Sequence, residues 1–121
     1  MSLSSLVPMA FVKSVTRSIE FYKKLGFTEG NTHTPEGAED PVWVWLKSGG
    51  AHLMLARATA PVDPEQQAVL FYVYCDDVAA FRSKLLESGV DAGPVQHPFY
   101  APLGEFRVTD PDGYTLMIAH T

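Results

Sequence analysis

Residues 49–55 read GGAHLML and residues 112–118 read DGYTLMI. Laid over one another, they place Leu53 on Leu116, Met54 on Met117 and Leu55 on Ile118, a shift of 63 positions. The same shift carries Phe11 to Tyr74, Ser14 to Asp77, Val15 to Val78, Gly26 to Gly89, Pro35 to Pro98, Trp43 to Phe106 and Gly50 to Gly113. Internal repetition at a constant period decides architecture before any local pattern does. A register that runs without a gap through helix, turn and strand marks one motif written twice.

Each copy contains one amphipathic helix. In SVTRSIEFYKKLGF, Val15, Ile19, Tyr22 and Leu25 share a face, Ser14 is the expected N-cap, and Lys23 and Lys24 suit the negative C-terminal end. In DVAAFRSKLLESGV, Val78, Phe81 and Leu85 form the stripe, with Asp77 as cap and Gly89 as stop. Strands are expected near 6–12, 42–47 and 51–57 in the first copy and near 68–75, 104–109 and 114–120 in the second, with a further short strand in each near 28–34 and 91–96. The turn between the last two strands of the second copy is Asp110-Pro111-Asp112-Gly113. There proline pre-sets φ, aspartate bonds its own backbone and glycine takes φ > 0.

The predicted fold is therefore α+β. Two tandem βαβββ modules, about 5–57 and 68–120, are joined by a Pro-rich polar linker at 58–67 and form one domain. Their mixed strands would curve into a cup with the helices on its outer face, and the inner face then needs a second sheet, a ligand or a partner subunit. Within VWVWL, residues 42–46, apolar residues run without polar alternation, as in a strand covered on both sides. If Val42, Val44 and Leu46 pack on a helix, Trp43 and Trp45 face the cup; sequence alone does not settle this against the opposite assignment.

Bulk composition narrows the function classes. The chain has 121 residues, 46% hydrophobic and 19% charged, with a net charge of −5 and nine scattered Lys and Arg. That is the composition of an ordinary globular domain. It provides no basic stripe for nucleic acid or for an anionic membrane surface. The single Cys75 cannot form an internal disulfide, which suits a reducing cytoplasm. No stretch reaches the roughly 18 apolar residues of a membrane span, and the first residues do not read as a signal peptide.

Three stretches, FVKSVTRSIEFYKKLGF, YVYCDDVAAFRSKLLESGV and GEFRVTDPDGYTLMI, occur in the order found in the vicinal oxygen chelate superfamily. That group includes glyoxalase I, extradiol dioxygenases and bleomycin-resistance proteins, and the resemblance covers essentially the whole chain. It implies the paired-module fold, and for a chain of this size a homodimer. In the metal enzymes of the group, one ligand lies on the first strand of each half and another on the last strand, four residues after the turn glycine. Carried over residue by residue, those seats are Val7, Met54, Leu70 and Met117. None is His, Asp or Glu, whereas divalent ions need imidazole, carboxylate or thiolate donors. The resemblance thus implies the fold while the residues argue against metal-dependent glyoxalase or dioxygenase chemistry, and no cofactor is expected.

What the sequence favours instead is small-molecule binding, by sequestration or carriage. The expected ligand is an aromatic compound, a cationic one included, held in an apolar cup of Met9, Phe11, Trp43, Trp45, His52, Met54, Tyr72, Tyr100 and Met117. The alternative is a divergent lyase, isomerase or dioxygenase-related enzyme with His52 or Glu105 as base. Glu105 and Arg107 share a strand face, as an exposed ion pair or a substrate-orienting one would. His97, with Phe99 and Tyr100, lies on a loop able to close over the cup, and Cys75 is expected to be buried and inert.

Overall fold

Both helices form where their caps place them. The computed structural model describes residues 1–121, and its first helix, α1, is Val15–Lys24. The Ser14 hydroxyl accepts the Arg17 N–H at 3.1 Å. The second helix, α2, is Val78–Glu87, and the Asp77 carboxylate accepts the Ala80 N–H at 3.0 Å. Each cap satisfies one of the orphan N–H groups of a first helical turn. Ser14→Ala and Asp77→Ala are each expected to cost about 1 kcal/mol, measurable as a small drop in the thermal midpoint followed by circular dichroism.

The seven strands are β1 Met9–Val12, β2 Thr28–His33, β3 Trp43–Ser48, β4 Ala51–Arg57, β5 Leu70–Cys75, β6 Glu105–Thr109 and β7 Thr115–His120. The chain divides into two compact units, Met1–Val62 and Asp63–Thr121, and the boundary falls inside the linker expected at 58–67. In the first unit, strands run in the order β1-β4-β3-β2; in the second, β5-β7-β6. Each sheet is mixed. β1 is parallel to β4 and β5 to β7, while β3–β4, β2–β3 and β6–β7 are antiparallel hairpin pairs. This is the α+β class expected from the repeat. The strand expected at 91–96 does not form as one: that segment makes only isolated bridges, Ala92 to Val108 and Gln96 to Glu105. Pro94 lacks the N–H a ladder requires, and Gly93 adds no side chain to pack. No helix is long and apolar enough to cross a membrane.

One face of each sheet is dry. In the first unit Ala10, Val12, Val44, Leu46, Leu53 and Leu55 are buried, as are Val15, Ile19 and Tyr22 of α1, which packs on β3 and β4. In the second unit Phe106, Val108, Leu116 and Ile118 are buried with Val78 and Leu85 of α2. Phe81, expected in the α2 stripe, is only half-buried. Because side chains alternate along a strand, burial of Val44 and Leu46 puts Trp43 and Trp45 on the opposite, open face. That resolves the assignment the sequence left open.

The repeat is exact on the last strand of each unit but not on the strand before it. Val44 pairs with Leu55 and Leu46 with Leu53; Phe106 pairs with Ile118 and Val108 with Leu116. Leu53 and Leu116 obey the shift of 63, yet their partners Leu46 and Val108 are 62 apart. The expected match of Trp43 to Phe106 is therefore corrected: Trp43 corresponds to Glu105, and Trp45 to Arg107. The cause is one extra residue in the second hairpin. Ser48 pairs with Ala51 around the two-residue turn Gly49-Gly50. In the second unit Asp110 N–H donates to Tyr114 O at 2.9 Å around the three residues Pro111-Asp112-Gly113. There Gly113 N–H donates to Asp110 O at 3.0 Å and Gly113 adopts φ +86°. This is a type I turn closed by a left-handed residue, the usual three-residue hairpin loop.

The linker is fastened to that turn. Gln67 Nε2 donates to Asp112 O at 3.0 Å, and Pro64 lies directly over the Gly113 Cα, where a side chain would otherwise project. Asp110 and Asp112 are buried. The Asp110 carboxylate accepts the N–H groups of Asp112 and Tyr114, both at 2.9 Å, so it serves the turn's own backbone.

Candidate functional site

The open face of the first unit is built in rows by strand register. Met9, Met54 and Trp45 lie side by side on β1, β4 and β3, and Phe11, Ala56 and Trp43 make the next row. Met9 and Phe11 are exposed and Trp43, Trp45 and Met54 half-buried. His52 is on the same face, exposed, and its ring meets the Trp45 ring edge-on at 5.9 Å. The Trp45 indole Nε1–H donates to His52 Nδ1 at 3.0 Å. An indole can only donate, so Nδ1 is the acceptor and the neutral ring carries its hydrogen on Nε2. The lone pair that a general base would use at Nδ1 is engaged, and His52 presents an N–H donor outward.

The open face of the second unit is chemically different. Tyr72, Met117 and Arg107 form one row across β5, β7 and β6, and Tyr74, Ala119 and Glu105 the next. Tyr72 and Tyr74 stack with centroids 6.0 Å apart and planes 25° from parallel. Glu105 is only 4% exposed. Its partners are not the expected Arg107 but two phenols: Tyr72 OH donates to Oε1 and Tyr100 OH to Oε2, each at 3.4 Å. Burial, then the negative charge of Glu105, push the Tyr72 phenol upward from its ordinary value, so it remains a donor through neutral pH. Tyr100 comes from the 97–104 loop, which also holds the highly exposed Phe99 against the Tyr100 ring at 5.3 Å.

Two open cavities adjoin in this unit, of about 450 and 500 Å³. Tyr72, Tyr100 and Glu105 line both. The first adds Leu70, Gln96, Arg107 and Met117; the second adds Tyr74, Pro102, Leu103 and Ala119. Volumes of this size suit small organic ligands. Of the residues singled out from sequence, Met9, Phe11, Trp43, Trp45, His52 and Met54 come together on the first unit's open face. Tyr72, Tyr100, Met117 and Glu105 come together on the second's. Missed was the link between Glu105 and the two tyrosines, because Tyr100 reaches it from a loop with no periodicity. Cys75, expected to be buried, is half-buried on the opposite face of β5, with its thiol pushed up chiefly by desolvation.

The metal seats do not fit a divalent ion. Val7 and Leu70 carry no lone pair, and Met54 and Met117 supply thioethers, poor ligands for Zn²⁺, Mn²⁺ or Fe²⁺. No three His, Cys, Asp or Glu side chains gather elsewhere in a way that could hold an ion.

The family model of the Glyoxalase/Bleomycin resistance protein/Dioxygenase superfamily matches residues 5–118. Among solved structures, a bleomycin-binding protein complexed with bleomycin is 18% identical, with 98% of this chain and 99% of that one covered at a TM-score of 0.78. A bleomycin resistance determinant encoded on the transposon Tn5 is also 18% identical, with 98% of each chain covered and a TM-score of 0.79. An antibiotic-binding protein, TnmS3, from Streptomyces sp. CB03234 is 19% identical, with 99% and 98% covered and a TM-score of 0.73. No curated protein matches the sequence.

Proposed function

Because this chain belongs to the glyoxalase/bleomycin resistance protein/dioxygenase superfamily, we propose that it binds a small aromatic, cationic molecule without a metal ion, as a sequestering or carrier protein. The observation that carries this reading is the replacement of all four ligand seats by Val7, Met54, Leu70 and Met117 beside open faces of aromatic and thioether side chains. A Lewis acid has nowhere to sit, whereas flat rings have indole and phenol faces to stack on. The likeness to bleomycin- and antibiotic-binding proteins supports the same class of ligand. The buried Glu105 carboxylate supports a positive charge on it, as does the net charge of −5. The dimer implied by the family resemblance gives the exposed Met9 and Phe11 a place to be covered, and a solution mass of twice the chain is expected by light scattering.

The test is a panel of planar aromatic compounds, cationic, neutral and anionic, read by tryptophan fluorescence and thermal shift with and without EDTA. Cationic members are expected to quench fluorescence and raise the thermal midpoint, unchanged by EDTA. Trp45→Leu is expected to weaken binding about 10-fold, the order of one lost aromatic stack. Absence of any shift across the panel, or loss of binding with EDTA, overturns the reading.

A further inference from the structure

Building on the aromatic-ligand reading above, we propose that the open face of β5, β7 and β6 carries a seat for an alkylated ammonium group. Glu105 supplies the counter-charge, and the rings of Tyr72, Tyr74 and Tyr100 supply the walls. The first ground is the state of Glu105. It is 4% exposed, and no Lys, Arg or His is paired with it. A carboxylate taken from water needs a cation or short charge-assisted hydrogen bonds in return, the latter usually about 2.5–2.7 Å from a hydroxyl. It receives two phenol hydroxyls at 3.4 Å, near the limit of what counts as a hydrogen bond. Two tyrosines that served only to satisfy this carboxylate would sit closer.

The second ground is what surrounds it. Tyr72 and Tyr74 stack into a continuous π wall beside Glu105, and aromatic faces attract cations, most strongly where water is displaced. The cavity of about 500 Å³ that these rings border is completed by Pro102, Leu103 and Ala119 together with the polar His120 and Thr121. The ring faces and the apolar members of this lining offer alkyl groups a contact that the three N–H donors of a primary ammonium cannot use. That favours nitrogen bearing alkyl groups. Arg107 lines the adjoining cavity and not this one, which directs the cation to the Tyr74 side.

The experiment compares 4-hydroxyphenyltrimethylammonium with its uncharged carbon isostere 4-tert-butylphenol by isothermal titration calorimetry. The wild-type protein is expected to prefer the ammonium compound by at least about 10-fold. Glu105→Gln is expected to reduce that preference about 10- to 100-fold, the range of one lost charge-assisted contact. Tyr74→Leu, at an exposed position, is expected to lower the preference about 3- to 10-fold, the worth of one cation–π wall, and decides the matter should Glu105→Gln fail to fold. A preference that survives both substitutions overturns the seat. So does wild-type protein that binds both compounds equally; metal-free aromatic binding would then stand without this site. Binding of neither compound overturns the seat and counts against the aromatic-ligand reading as well.

Discussion

Phe106→Ala is expected to destabilise the protein by about 3–5 kcal/mol, the usual range for emptying a buried phenylalanine site. Phe106 is 1% exposed and lies with Val108, Leu116 and Ile118 on the dry face of its sheet. Its removal forfeits transfer free energy and leaves a cavity that close-packed neighbours refill only in part. The informative control is Trp43→Ala. A strict repeat of 63 residues makes the two positions equivalent, whereas the strand pairings put Trp43 on the open face, half-buried. Trp43→Ala is therefore expected to cost only about 1–2 kcal/mol, in keeping with partial burial, despite deleting the larger side chain. Urea unfolding of both variants checks this, compared at equal m-values. Equal losses would show that the one-residue offset between the hairpins is wrong.

Gly113→Ala is the second large effect, with an expected loss of about 3 kcal/mol or more. Two costs combine. At φ +86° an L side chain is strained by about 1–2 kcal/mol. The new Cβ would also lie against the Pro64 carbonyl and 2.5 Å from its Cα, a clash with backbone that no rotamer relieves. Relief requires lifting the linker off the turn, at the expense of the Gln67–Asp112 hydrogen bond. Gly49→Ala separates the two costs. Gly49 also has positive φ, +55°, but a Cβ there meets nothing within 4 Å, so only the conformational part, about 1 kcal/mol, is expected. Thermal unfolding of both variants is the measurement. Equal shifts would mean that Pro64 does not bear on Gly113.

Most of the fold was legible because its determinants are local. Caps at Ser14 and Asp77, turn residues at Asp110–Gly113 and runs of β-prone residues placed six strands and two helices within a few positions of where they form, and the short strand expected near 28–34 forms as β2. The α+β class followed from the repetition. What misled was the assumption of a gapless register. Turn length is invisible to a constant shift when both turns end in glycine, and one extra residue exchanges the faces of a strand because its side chains alternate. Alternation in Glu105-Phe106-Arg107-Val108 was the available clue: two charged residues out of phase with two apolar ones cannot present Phe106 where Trp43 stands. The aromatic open-face residues were legible as a class. Their partners were not, since Tyr72, Tyr100 and Glu105 meet only in three dimensions, and Tyr100 is carried there by an irregular loop.

The longer second hairpin has a consequence for how a duplicated protein diversifies. A single codon's worth of extra turn leaves every core position filled by an apolar side chain, Phe106 and Val108 standing for Val44 and Leu46. On the other face, the positions equivalent to Trp43 and Trp45 hold Glu105 and Arg107, a difference of residue and not of strand orientation. The two open faces therefore differ in chemistry over a shared core pattern, aromatic and thioether in the first unit, phenolic and charged in the second. Because the extra residue is absorbed in the turn, such a hairpin can change its turn length while each strand keeps the same positions facing the core.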